Sequence, residues 1–412
     1  MISDDATAAL PAARRGFWRD LTAAHAANGL VGFLFAASGP LAIVLATGTK
    51  GGLSEADLAS WVFGSLVGNG IVSIIFCLRY RQPLVFFWTI PGTVLIAPAL
   101  AHMTFAEVIG AYVATGLLMT VLGALGWVQR VMQAIPLPIV MGMVAGVFLA
   151  FGLDWVRAFQ VDLWLAAAMT LAYLAIGAIP PLARRLPPLL VALAVGAALI
   201  AWSGSFAPGL EPATAFAAPR LQVPAFSWAA MLELVVPLAI SVLVVQNGQG
   251  FAVLTAAGHQ PPINAIAVGC GVTSTIAAFV GAVSTCLTGP VNAIISAGGD
   301  RRTQYTAGVV VGTLALLCGL VAPAVTRLML AAPPAFIATL AGLAMLRVLQ
   351  SAFAVAFQGR YTLGALVTFL VTVAGIPIFN IGAPFWALLS GAAVSLAMEP
   401  SDWRRGEKAK EA

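Results

Sequence analysis

Two apolar stretches of this chain carry the same interruption. One reads Phe86-Phe87-Trp88-Thr89-Ile90-Pro91-Gly92-Thr93, the other Val283-Ser284-Thr285-Cys286-Leu287-Thr288-Gly289-Pro290-Val291-Asn292. Each is a β-prone run ending in Thr, then a Pro/Gly pair, then a short apolar segment fit for half a helix. A helix that starts there presents free amides equivalent to about +0.5 of a charge. Pro suits the first turn, because the donor it lacks has no partner there. Two such ends aimed at one point make an anion site. Thr89, Pro91, Thr288, Gly289, Pro290 and Asn292 are the binding candidates this pattern nominates, with Trp88 and its Phe neighbours as an apolar wall.

A third cluster is Gln246-Asn247-Gly248-Gln249-Gly250. Three amides within an apolar run are costly unless paired. Gln246 and Gln249 share a helix face, and the glycines allow close approach. The cluster can bond helices together or line a site for a polar substrate group. Equally informative is what the runs lack. Glu107, Asp154, Asp162, Glu233, His25, His102 and His259 all sit near the ends of apolar runs, with no acid in the middle of any. Intramembrane acids mark proton or cation relays. Their absence leaves an anion site without a competing charge and a proton without an evident carrier. Cys77, Cys270, Cys286 and Cys318 have no metal-ligand spacing and read as small core residues. With no cluster of nucleophile and His, Asp or Glu, an enzyme is disfavoured; neither a metal nor an organic cofactor is expected.

The elements that hold these residues follow from composition. The chain has 412 residues, 61% hydrophobic and 8% charged, with a mean hydropathy of +0.99. Soluble domains carry about 25% charged residues, so the class is an all-α polytopic membrane protein. Apolar runs near 28–47, 58–78, 82–101, 107–128, 134–153, 162–180, 187–203, 232–256, 263–280, 281–299, 304–325, 333–351, 361–377 and 382–399 predict about 14 membrane segments. In the third, an extended Val85–Ile90 covers about 20 Å and a helix from Pro91 to Ala101 about 16 Å. Together they span the ~30 Å hydrocarbon core. Short strands in segments 3 and 10 would satisfy each other's backbone by pairing, since bare backbone at that depth survives only inside protein or beside a water-filled cavity.

Charge orients the chain. With the N-terminus inside, 16 of the 20 Lys and Arg fall on inner segments, leaving Lys50, Arg157, Arg220 and Arg327 outside. Arg14, Arg15, Arg184, Arg185, Arg405, Lys408 and Lys410 are among the inner ones. The net charge of +5 is scattered in pairs between apolar runs, so no nucleic-acid partner is implied. Residues 1–27 lack the apolar core of a cleavable signal and read as a cytoplasmic segment, with Arg14–Arg19 suited to the inner membrane surface. Residues 28–203 form a first seven-span half, 204–231 an external connection, 232–399 a second half, and 400–412 a cytoplasmic tail. Pro138, Ala145 and Gly146 match Pro334, Ala341 and Gly342 at an offset of 196 residues; Gly116 and Gly123 match Gly312 and Gly319 at the same offset. Seven spans per half is odd, so the second half must be inverted.

The run Gln246–Leu254, the Thr288–Ile294 run and Ser38-Gly39-Pro40 resemble the BenE family of benzoate/proton symporters, over about Gly29 to Met398. More distantly, the layout is similar to the seven-plus-seven inverted-repeat fold of nucleobase transporters and sulfate permeases. The resemblance implies a core of spans one to four and eight to eleven, moving against a gate of the remaining spans. It implies a site between spans three and ten, with Ser38, Trp88, Thr89, Gln246, Thr288 and Gly289 around it; Pro91, Asn247, Gln249, Pro290 and Asn292 join from the motifs. It also implies a proton as coupling ion. Nucleobase transporters of this fold carry acids where Gln246 and Gly289 stand here, so that substrate class is set aside. The expected function is inward transport of benzoate or a similar aromatic carboxylate with a proton across a bacterial-type inner membrane. A small-anion exchanger or uniporter of the same fold is the alternative. The expected partners are the small carboxylate and the lipid bilayer; assembly into a homo-oligomer stays open.

Overall fold

The computed structural model describes residues 16–132, 135–183, 186–204, 216–297, 300–379, 381 and 383–404. Arg14, Arg15, Arg184, Arg185, Arg405, Lys408 and Lys410, which the orientation reading used, lie outside these residues, as do 205–215 of the connection. The chain is nearly all helix: α1 (Ala23–Ala37), α2 (Gly39–Lys50), α3 (Glu55–Tyr80), strand β1 (Phe86–Trp88), α4 (Ile90–Val94), α5 (Ile96–Leu100), α6 (Phe105–Ala124), α7 (Leu137–Val161), α8 (Leu163–Gly177), α9 (Pro188–Ser203), α10 (Trp228–Ala256), α11 (Ile263–Ala278), strand β2 (Thr285–Leu287), α12 (Gly289–Ile295), α13 (Tyr305–Leu320), α14 (Ala322–Leu330), α15 (Pro334–Phe357), α16 (Thr362–Ala374) and α17 (Ala383–Met398).

Among the described residues six helical segments are long and apolar enough to cross a membrane: α1 with α2, α3, α6, α7, α10 and α15. A seventh arises if α13 and α14, bent by 75°, count as one. The other apolar helices have 10–17 residues and rise only about 15–25 Å at ~1.5 Å per residue. Length therefore qualifies fewer crossings than the fourteen segments read from the sequence.

Several helices depart from the uninterrupted runs the sequence suggested. The first is broken at Ser38 (φ −95°, ψ −100°), where the hydroxyl donates to Phe35 O at 2.8 Å and Pro40 follows. Missing donors and a bonded side chain are what break a helix. The α13–α14 bend falls just before Pro323. Within α10, Met231–Val235 and Ser241–Gln246 are π-helical, so the helix is widened at its first turns and again at the glutamine cluster. At the N-terminal end, Asp20 is buried: it accepts from Tyr305 Oη at 2.8 Å and pairs with Arg81 at 3.5 Å.

Small residues bring the helices together. A Cβ on Gly70 of α3 would lie 2.7 Å from Gly312 O of α13, and one on Gly312 would lie 2.8 Å from Gly70 O. Gly116 of α6 faces Gly271 of α11 in the same reciprocal way, at 2.8 and 2.6 Å, and Gly364 of α16 faces Gly391 of α17 at 2.8 and 2.7 Å. Lipid supplies no hydrophobic drive between helices, so close backbone approach is what packs them. Buried apolar side chains then gather in separate clusters. Two lie mainly within α1–α6 and α10–α14; a third joins α7–α9 to α15–α17 and reaches Ala42 and Ile43 of α2, Val94 of α4 and Ile240 and Val244 of α10.

Gly312→Val should force α3 and α13 apart and lower stability by about 1–3 kcal/mol, the cost of overpacking a close contact. Gly68→Ala, on the face of α3 turned toward Thr273 and Ala277 of α11, meets nothing nearer than 3.4 Å and should unfold with wild-type protein in a thermal melt. Equal melts for the two variants would mean the glycine crossing does not set the spacing.

Candidate functional site

The two interrupted segments meet. β1 and β2 pair antiparallel, with Phe86 opposite Leu287, Phe87 opposite Cys286 and Trp88 opposite Thr285. The pairing extends by one bond at each end: Thr89 N donates to Ser284 O at 2.9 Å, and Thr288 N donates to Val85 O at 3.1 Å. Neighbouring helices satisfy the outer backbone groups. Ser73 Oγ of α3 accepts from Phe86 N, and Ser274 Oγ of α11 accepts from Thr285 N, both at 2.9 Å. Asn292 Oδ1 accepts from Val85 N at 2.9 Å while its Nδ2 donates to Val85 O at 3.2 Å. Asn247 Oδ1 accepts from Leu287 N at 2.7 Å.

Beside this strand pair lies a cavity of about 1100 Å³. Trp88, Pro91, Gln246, Gln249, Thr288 and Pro290 line it together, with Phe35, Ala36, Pro40 and Phe87. Met141, Val144 and Phe148 of α7, Tyr173 of α8, Leu189 of α9 and Leu343, Ala344, Arg347 and Ser351 of α15 close the far wall. Size and lining, mostly apolar with a few placed polar groups, suit a small organic ligand.

The other candidate residues are placed elsewhere. Asn247 and Asn292 are fully buried, and their amides serve the strand backbone rather than the cavity, because an unpaired backbone group at that depth would be costly. Ser38 is buried with its hydroxyl on Phe35 O. Thr89 is buried and caps α4, its Oγ1 accepting from Gly92 N at 3.2 Å. Gly289 is buried and acts through its lack of a side chain: a Cβ there would meet Gln249 Cγ at 2.6 Å. The Gln249 side chain therefore lies against the first residue of α12.

The two helix starts are not alike. Thr89 already occupies an amide of α4, whereas the Thr288 side chain makes no such cap on α12 and is half-buried on the cavity wall. The polar end of the cavity is thus the start of α12, with Thr288 and Gln249 on it and Gln246 one turn of α10 away. The far wall escaped the sequence reading, since Met141, Phe148 and Tyr173 are ordinary in an apolar helix. Arg347 does carry a signal, a cation within the apolar run 333–351, but the charge count uses it only as one of the inner cations.

Broken helices beside a deep cavity in a mostly apolar chain are the layout of a membrane transport protein. Comparison gives the family: residues 19–397 match the BenE family, described as benzoate membrane transport protein, and the chain belongs to it. It is 29% identical over 371 residues to the benzoate membrane transport protein of Acinetobacter baylyi, covering 88% of this chain and 92% of that one. It is 28% identical over 370 residues to the inner membrane protein YdcO of Escherichia coli, covering 88% and 93%. Among solved structures the fold is similar to the transmembrane domain of the cyanobacterial bicarbonate transporter BicA (TM-score 0.61, 16% identity, 89% and 96% covered). It is also similar to the murine anion transporter Slc26a9 in its inward-facing state (TM-score 0.62, 13% identity, 90% and 68% covered).

Asn292→Ala should lower stability by about 1–3 kcal/mol, because it strands a buried donor and acceptor of Val85. Gln246→Ala, which removes no hydrogen bond within the described residues, should leave the thermal melt unchanged. A melt in which Gln246→Ala falls and Asn292→Ala does not would reverse these two assignments.

Proposed function

We propose that this protein is a secondary active transporter of the inner membrane that imports benzoate or a similar aromatic carboxylate with a proton. The observation that carries the proposal is the cavity beside the paired strands, apolar over most of its wall and polar at Gln246, Gln249 and Thr288, in a member of the BenE family. The carboxylate sits at the start of α12, against Thr288 and the amides of Gln246 and Gln249. The ring takes the wall of Phe87, Trp88, Met141 and Phe148.

The proposed topology is fourteen crossings in two inverted halves, with both termini cytoplasmic. The 196-residue offset and the charge bias support it, and so does the packing. α3 packs on α13 as α11 packs on α6, while the mates α7 and α15 pack on each other, as do β1 and β2. Under this topology the exposed rim of the cavity, at Gly177, Ala178, Arg347 and Ser351, faces the cytoplasm. On the outer side Lys50 at the end of α2 pairs with Asp154 of α7, tying the strand-bearing core to the opposite wall. The state is inward-open, and transport requires that tie to break. Among the described residues no acid lines the cavity. The proton travels on the substrate or through Glu233, which is buried and bonded to His102 at 2.9 Å; gradient-driven uptake by Glu233→Gln separates these routes.

In proteoliposomes, labelled benzoate should accumulate when the outside is made acidic at fixed voltage. Uptake indifferent to the pH gradient but driven by a counter-anion would replace symport by anion exchange. Gln246→Ala should weaken benzoate binding about 10- to 150-fold, the value of a lost hydrogen bond to a charged group.

Thr288→Asp should abolish binding and Thr288→Asn only weaken it, since like charge is poorly screened in such a site. Equal damage from both would point to sterics. For topology, single cysteines at Arg157 and Arg130 should label from outside and inside respectively; the reverse result would overturn the orientation.

A further inference from the structure

The cavity wall holds one charged side chain among the described residues, and it is a cation. Arg347 lies on the stripe of α15 that faces the cavity, with Leu343, Ala344, Val348, Ser351 and Val355 at helical spacing. The stripe runs from depth to rim: Leu343 is 1% exposed, while Arg347 and Ser351 are exposed. Lys50, Arg81, Arg157, Arg220 and Arg327 each pair with a carboxylate; Arg79, Arg130, Arg301 and Arg360, like Arg347, have no ion pair among the described residues, and of these Arg347 alone lines the cavity. Arg347 makes no ion pair among the described residues; its Nη1 donates to the neutral Gln350 Oε1 at 3.1 Å. Among the described residues no carboxylate offsets its charge at the mouth of the cavity.

A cleft of low dielectric with one sign of charge at its mouth focuses the field and raises the local concentration of the opposite ion. A guanidinium adds two parallel donors that match a carboxylate. We propose that Arg347 is the anion filter of this cavity. From the cytoplasmic side it draws small monocarboxylates to the rim and on to Gln246, Gln249 and Thr288, and disfavours cations. This rests on the reading that the cavity takes an aromatic carboxylate, and it adds where negative charge is preferred at the cytoplasmic mouth, through which substrate leaves during import and through which it rebinds. A rim charge acts chiefly on the association rate and its salt dependence, not on dissociation.

The test is stopped-flow binding of benzoate to the purified full-length protein, read by tryptophan fluorescence, at low and at high salt. Wild-type association should slow as salt rises. At low salt Arg347→Gln should associate about three- to tenfold more slowly, with a nearly flat salt dependence and an unchanged dissociation rate. Arg347→Lys should keep most of the rate and the salt slope. Because Arg347 is exposed, the thermal melts should coincide. If Arg347→Gln folds poorly, wild type and Arg347→Lys still decide, since a salt-independent wild-type rate overturns the proposal. Wild type that binds no benzoate sinks the substrate reading and this inference with it. Wild type that binds, beside an Arg347→Gln of equal rate and equal salt slope, overturns the role of Arg347 alone.

Discussion

Everything at the centre of this protein depends on satisfying extended backbone where water cannot reach it. A helix meets that demand within itself; an interrupted segment cannot. Here β1 and β2 answer each other, and Ser73, Ser274, Asn247 and Asn292 answer the groups that strand pairing leaves over. The arrangement is close to two-fold: a serine from α3 serves one strand and a serine from α11 serves the other. With the backbone accounted for, the residues beyond each strand can begin a helix deep in the fold.

That solution also explains why the cavity is asymmetric. The first half-helix uses Thr89 on itself, while the second leaves Thr288 on the cavity wall and Gly289 bare so that Gln249 can lie against it. One side of a nearly symmetric junction is closed by its own residues, and the other opens on the cavity. The opposite wall, from α7, α8, α9 and α15, is nearly featureless until Arg347. Polarity and shape thus come from different parts of the fold.

Much of this was legible in the residues themselves. The Thr/Pro/Gly clusters marked both interruptions, and the glycines at the 196-residue offset, Gly116 and Gly312, are seats of helix crossings. The amide cluster was legible as a group but not residue by residue. Gln246 and Asn247 are adjacent in sequence and similar in chemistry, yet one faces the cavity and the other holds Leu287 N. Which way each points depends on the π-helical turn at Ser241–Gln246, and helical periodicity assumes a regular helix. Ser38 and Thr89 turn their hydroxyls to the local backbone rather than to the cavity for a related reason. A small hydroxyl beside a helix break has the local backbone as its nearest partner, and nothing in its spacing reveals whether that partner or a ligand holds it.

The strand pair also constrains how the protein is made. Val85 is bonded to Asn292, 207 positions later, and Thr89 to Ser284. When the first half has left the ribosome, the partners of its interrupted segment have not yet been synthesised. Loop closure must precede the reward of such distant contacts. Until the second half arrives, the extended backbone of that segment has none of the partners that β2 and Asn292 give it in the finished fold. The last step of assembly is then the seating of both breaks at once. A chain truncated before β2 does not yield half a transporter; it leaves a hydrophobic segment with nowhere stable to go.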